Sequence, residues 1–185
     1  MRCPYCQTQL QANAPDCPAC RLSFPRTCAL LGAVPRLAEE VADTTGSLRT
    51  SDHARIKRRL AAMRRRFPQL VPQVVMHGFP AEHPFSMHVF WLFNAADFAG
   101  TSHRGRDNHA LLLAIDPDRR EAAIMPGYGL ESFLTDEARA RLLELAAPAW
   151  QDRRWADGIL SVLDGIEPML EFIAVPADDA TQGEF

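Results

Sequence analysis

Apolar positions recur along the chain with two distinct periods, and the changes of period mark the elements. After Ser51, the residues Ile56, Leu60, Met63 and Phe67 follow one another at spacings of 4, 3 and 4, the stripe of an amphipathic helix. Ser51 is expected to cap its first turn, with Asp52 at the positive end of the dipole. Val74-Val75-Met76 is a short β-prone run whose entry is limited by Pro72. A second helix is predicted over 85–98, with Val89, Leu92, Phe93 and Ala96 inward and His88 and Trp91 on its other side. Beyond a polar loop, Ala110-Leu111-Leu112-Leu113-Ala114-Ile115 is an unbroken apolar run, the pattern of a strand covered on both faces. Residues 116–120 form a turn and 121–125 the returning strand. Two helices close the pattern. One covers 136–147 and presents Leu142, Leu145 and Ala146. The other covers 155–173, carries Trp155, Ile159, Val162, Ile166, Leu170 and Ile173 on one stripe, and is bent by Pro168. This order predicts a three-layer α/β/α sandwich around a small mixed sheet.

Composition adds limits rather than a function. The 185 residues are 47% hydrophobic and 23% charged, which excludes wholesale disorder. No apolar run approaches the roughly 20 residues that span a bilayer, and Met1-Arg2-Cys3-Pro4 lacks a secretory stretch, so a soluble, cytoplasmic chain is expected. The net charge of −3 is uneven: up to Arg66 there are 12 basic and 5 acidic residues, and beyond it 8 and 18. Arg55, Lys57, Arg58, Arg59, Arg64, Arg65 and Arg66 flank the first helix stripe, either a solvated face or a surface for an anionic partner.

The cysteines carry the strongest chemical signal. Cys3-Pro4-Tyr5-Cys6 and Cys17-Pro18-Ala19-Cys20 are two thiolate pairs ten residues apart. A tetrahedral Zn2+ needs four soft ligands, and each Cys-x-x-Cys turn can aim two sulfurs at one ion. So short a segment holds too little apolar material to fold alone, and metal is expected to supply most of its folding energy. With all four positions filled by thiolate, the site is structural rather than catalytic. Cys28 lies outside both pairs and reads as a plain, partly buried thiol. The segment is thin in aromatic and basic residues, which favours a protein partner for the ribbon over nucleic acid.

Three further motifs fall in order: Asp43-x-x-Gly46-x-Leu48, Arg106-Asp107-Asn108, and Gly127-Tyr128-Gly129-Leu130-Glu131, followed by Trp155-Ala156-Asp157-Gly158-Ile159. Together they resemble the TPM domain family, which includes the thylakoid-lumen acid phosphatase-like proteins. The resemblance runs from about Val34 to Leu170 and implies the same α/β/α sandwich. It implies that Asp43, Asp107 and Glu131 converge beside a crevice, with Asn108 adding a carbonyl oxygen. Such an oxygen-rich set suits Ca2+ or Mg2+. A phosphatase would use Asp107 with Arg104 and Arg106 as the catalytic candidates, the arginines clamping a phosphate. Glycine usually follows the family's Asp-Asn; here it is His109, whose imidazole is expected to reshape or partly fill the pocket.

The expected organisation is a zinc ribbon over 1–27, a TPM-like domain over 28–174 and an acidic tail over 175–185. The leading functional expectation is a non-catalytic adaptor in assembly, quality control or regulation. The alternatives are a metal-dependent acid phosphatase acting on phosphomonoesters and a nucleic-acid-associated protein.

Overall fold

A computed structural model describes residues 2–11, 14–33, 40–96 and 109–171. The elements are α1 (Phe24–Leu31), β1 (Val41–Asp43), α2 (Thr50–Arg66), β2 (Val71–Met76), α3 (Phe85–Ala95), β3 (Ala110–Asp116), β4 (Glu121–Pro126), α4 (Asp136–Gln151) and α5 (Trp155–Leu170). The sheet order is β1-β2-β3-β4, with β1, β2 and β3 parallel and β4 antiparallel to β3. Alternation in β3 feeds two cores. Leu111, Leu113 and Ile115 pack with α2, α4 and α5 on one face, while Leu112 and Ala114 pack with Val89, Trp91 and Leu92 of α3 on the other. The expected α/β/α sandwich is therefore present, and the unbroken apolar run of β3 has its physical cause.

Pro72 sits inside β2 rather than before it, paired with Leu111. Val71 N–H bonds His109 on the β3 side, whereas Val74 N–H bonds Glu40 on the β1 side. Pro72 therefore turns its missing donor toward a stretch where the three-residue β1 has not yet begun.

Several local expectations change. Helix α2 starts at Thr50, after Arg49, and the Asp52 carboxylate folds back to accept the Arg49 N–H at 3.2 Å, so Ser51 is not the cap. His88 and Trp91 are buried together with Val89 and Leu92: Trp91 shares their cluster, with Cys28 and Leu31 packed against it, and His88 lies under the 77–84 loop, on the Pro80 carbonyl and the Phe79 ring. Leu145 is 63% exposed; α4 turns Leu142 and Ala146 inward instead. Ile173 and the tail lie outside the described residues. Helix α1 was not anticipated. It is capped by the Ser23 hydroxyl, ends at Gly32 with φ +79°, and runs across the boundary expected after residue 27.

Helices α4 and α5 approach closely through two glycines. A Cβ on Gly158 would overlap the Trp150 indole, and one on Gly165 would overlap Leu142. The Trp150 indole N–H also donates to the Trp155 carbonyl at 3.3 Å. The aromatic–x–x–Gly–Ile segment is thus a helix-packing device.

Candidate metal centre and the adjoining groove

The two Cys-x-x-Cys segments fold into matching turns. Cys3 N–H bonds Thr8 and Gln7 N–H bonds Cys3; Cys17 N–H bonds Leu22 and Arg21 N–H bonds Cys17. Gln7 (φ 62°) and Arg21 (φ 56°) take the left-handed conformation that closes each turn. An isolated antiparallel bridge between Arg2 and Gln9 closes the base of the first turn. The turns bring all four Sγ atoms within 4.8 Å of one another, with Cys3–Cys20 at 3.6 Å and Cys6–Cys17 at 3.5 Å. Thiolates about 2.3 Å from a tetrahedral ion lie about 3.8 Å apart, so the cluster fits one such ion. Among the described residues, no other group of His, Cys, Asp or Glu gathers in this way.

Burial pushes the Cys20 thiol up to about 12 and raises Cys3, while hydrogen bonds from Thr8 draw Cys6 down to about 6. Four sulfurs so disposed need a cation among them before all can ionise, which is the charge a bound dication brings.

Among the described residues, the cysteine module shares its core with α3. Cys3, Cys17 and Leu22 enclose Met87 of α3, which is fully buried, with Leu10, Cys20 and Leu31 around them. Ser86 Oγ donates to the Pro4 carbonyl at 2.5 Å, and Phe24 of α1 meets the Phe90 ring edge-on at 6.3 Å. Cys28 is partly buried against the α3 core, as expected.

The oxygen ligands are arranged differently from the expectation. Asp43 Oδ1 accepts from the Thr45 N–H (2.8 Å), the Thr45 hydroxyl (2.6 Å) and the Gly46 N–H (3.1 Å), and Oδ2 accepts from the Leu48 N–H (2.7 Å). Gly46 has φ +68°, and Leu48 is buried in the core. Asp43-x-x-Gly46-x-Leu48 is therefore a braced turn joining β1 to α2. Asp43 pairs with Met76, at the carboxyl end of the parallel strands. Gly127 N–H bonds Ala110, at their amino end, and Leu130 buries beneath the following turn, leaving Glu131 exposed there. Asp43 and Glu131 thus stand at opposite ends of the sheet, roughly 16 Å of strand apart at about 3.3 Å per residue. They do not converge. Arg104, Arg106, Asp107 and Asn108 lie outside the described residues. His109 lines a small crevice with Leu70, Leu130 and Leu170, its Nδ1 without a hydrogen-bond partner among the described residues.

At the carboxyl end of the strands, Asp116, which opens the 116–120 turn, is fully buried. Its carboxylate accepts the N–H groups of Phe79 (2.7 Å), Asp118 and Arg119 (both 3.0 Å). Arg119 in turn donates to the carbonyls of Pro80 and His83. These bonds draw the 77–84 loop over the strand ends and bury Phe79 there.

The basic helix is neutralised from within the molecule. Arg55 pairs with Asp157, Arg59 with Asp164 and Glu167, Arg66 with Glu167 and Glu171, and Arg64 with Glu40. Hydrogen bonds from Arg59 and Arg66 hold the Glu167 carboxyl below its ordinary range, and Arg55 does the same for Asp157. Four of the six arginines expected to meet an anion are engaged by the protein's own carboxylates.

Between the cysteine module, α3, β4 and the start of α4 lies a groove of about 400 Å³. Phe90 and Phe93 line it from α3 and Thr135 and Arg139 from the start of α4, with Arg2, Tyr128 and Glu131 also among its lining residues.

A mixed four-stranded sheet between helical layers, with a four-cysteine cluster able to hold a metal ion packed on α3, defines an α/β domain bearing a metal-binding module. The TPM domain model matches residues 41–168, and the chain belongs to that family. The N-terminal domain of a protein from P. gingivalis is 21% identical with a TM-score of 0.57, covering 72% of this chain and 83% of its own. The N-terminal domain of a protein from Corynebacterium glutamicum is 17% identical with a TM-score of 0.53, covering 96% and 95%. Both likenesses concern the fold. A comparison with curated proteins gives no match. No described helix is long and apolar enough to cross a membrane.

Proposed function

We propose that this protein is a non-catalytic adaptor, a TPM domain whose four-cysteine module binds structural Zn2+ and builds part of a protein-docking face. The separation of Asp43 and Glu131 to opposite ends of the sheet is the observation that carries this reading. A metal-dependent phosphatase must gather oxygen ligands and a cationic clamp around one reacting group. Here Asp43 is saturated by its own loop, and Phe79 occupies the carboxyl end of the strands where open α/β sheets commonly seat ligands. The cysteine pairs suit a reducing compartment such as the cytoplasm.

The deciding experiment is phosphomonoester turnover by wild type, Asp107→Ala and His109→Gly at matched purity, with Ca2+ or Mg2+ added. The adaptor reading expects no turnover above background in any of the three. Wild-type turnover abolished by Asp107→Ala would replace it with the phosphatase reading.

A further inference from the structure

Strand β4 is an edge of the sheet, and the groove runs along it. Gly127 N–H bonds Ala110, and in the observed register Met125, Ala123 and Glu121 face Leu112, Ala114 and Asp116. Antiparallel pairing turns the main-chain groups of these odd-numbered residues toward β3 and those of Ala122, Ile124 and Pro126 toward the groove. The Ile124 carbonyl accepts from Arg139 at 3.2 Å. The N–H groups of Ala122 and Ile124 and the carbonyls of Ala122 and Pro126 have no backbone partner among the described residues. Apart from the Ile124 carbonyl, from which an added strand would displace Arg139, this row of donors and acceptors is a template for another strand.

The groove also has a polarity. Arg119 bonds to Pro80 and His83 hold the first turn of α3 beside the β3–β4 turn, and Ser86 of that turn holds Pro4. Arg2 therefore stands near the beginning of β4, whereas Glu131 follows its end. Both are exposed, and neither has an ion-pair partner among the described residues. A strand antiparallel to β4 would enter beside Glu131 and leave beside Arg2.

We infer that the groove receives an extended segment of a partner protein as an added antiparallel strand, with a basic residue beside Glu131 and an acidic residue or carboxyl terminus beside Arg2. The inference rests on the adaptor reading and names the kind of partner that reading requires. A second copy of this chain offers the same charges across a two-fold axis, but its β4 would be recessed behind its own α3 and α4 walls. A free strand meets no such obstacle. Pro126 supplies a carbonyl but no donor at the last position, which confines pairing to a short segment.

The test is selection of a random-peptide display library on the zinc-loaded full chain, followed by amide hydrogen exchange of the complex. Recovered peptides should carry Lys or Arg toward the amino end and Asp or Glu toward the carboxyl end, and should slow exchange at the Ala122 and Ile124 amides. Arg2→Glu should weaken them about tenfold, and the charge-swapped Arg2→Glu/Glu131→Arg pair should prefer peptides of reversed polarity. No binders, binders that leave both amides unprotected, or concentration-dependent dimerisation that protects them without peptide would each overturn the inference. Phosphomonoester turnover would instead overturn the adaptor reading, whatever the amides show.

Discussion

Asp43 shows how a residue chosen for ligand chemistry can be wholly occupied by structure. Its carboxylate accepts four hydrogen bonds within one turn. Asp43→Ala should therefore lose about 2–4 kcal/mol in urea unfolding, a loss that Ca2+ does not alter. A Ca2+-dependent rise in the wild-type melting temperature that disappears in this variant would restore Asp43 as a ligand. Gly158 makes the complementary point. Gly158→Ala should cost about 1–3 kcal/mol, because the added methyl group must displace the Trp150 indole between α4 and α5. Unchanged stability would mean that the indole moves aside freely. The cysteines were legible at this scale because four identical ligands at short spacing encode their own geometry. The oxygen candidates were not, since distance along the chain does not say at which end of a sheet a residue emerges. Part of the signal was present: a turn at 116–120 reverses the chain, so whatever follows β4 lies at the amino end of β3; the missing part was β1, whose end carries Asp43.

Among the elements, periodicity revealed α2, α3, α4 and α5, an unbroken apolar run revealed β3, the turn after it β4, and a β-prone run the second half of β2. The sequence did not reveal α1 or β1, whose eight and three residues are too short to develop a period. The inward placement of His88 and Trp91 was also hidden, because a helix buried on both sides by separate parts of the chain has no polar face to betray it. The contact between α2 and α5 shows the reverse case, where charges that looked available are paired internally. Since Asp157 and Glu167 have lowered carboxyl pKa values in the fold, their contribution to stability is complete above the ordinary carboxylate range and fades as pH falls through it. Unfolding free energy should accordingly drop between about pH 5 and 3, and Glu167→Gln should flatten that slope. An equally steep acid slope in Glu167→Gln would assign it to other carboxylates.

At the scale of the whole molecule, the cysteine module, expected as a zinc ribbon over 1–27, is tied to the sheet domain through α3. Met87 lies among Cys3, Cys17 and Leu22, so the module and the sheet domain share α3 as a common wall. Arg2 and Pro4 then line the groove beside β4. Metal in the cluster would thereby shape a surface of the TPM domain without touching a substrate, which is the account's central claim. Amide hydrogen exchange with and without a zinc chelator tests it most directly. Metal removal is expected to speed exchange in both cysteine turns and at residues 86–88 of α3, leaving β3 protected by its remaining cores. Faster exchange in the cysteine turns with no change at 86–88 would contradict the account and return the module to the status of an independent appendage.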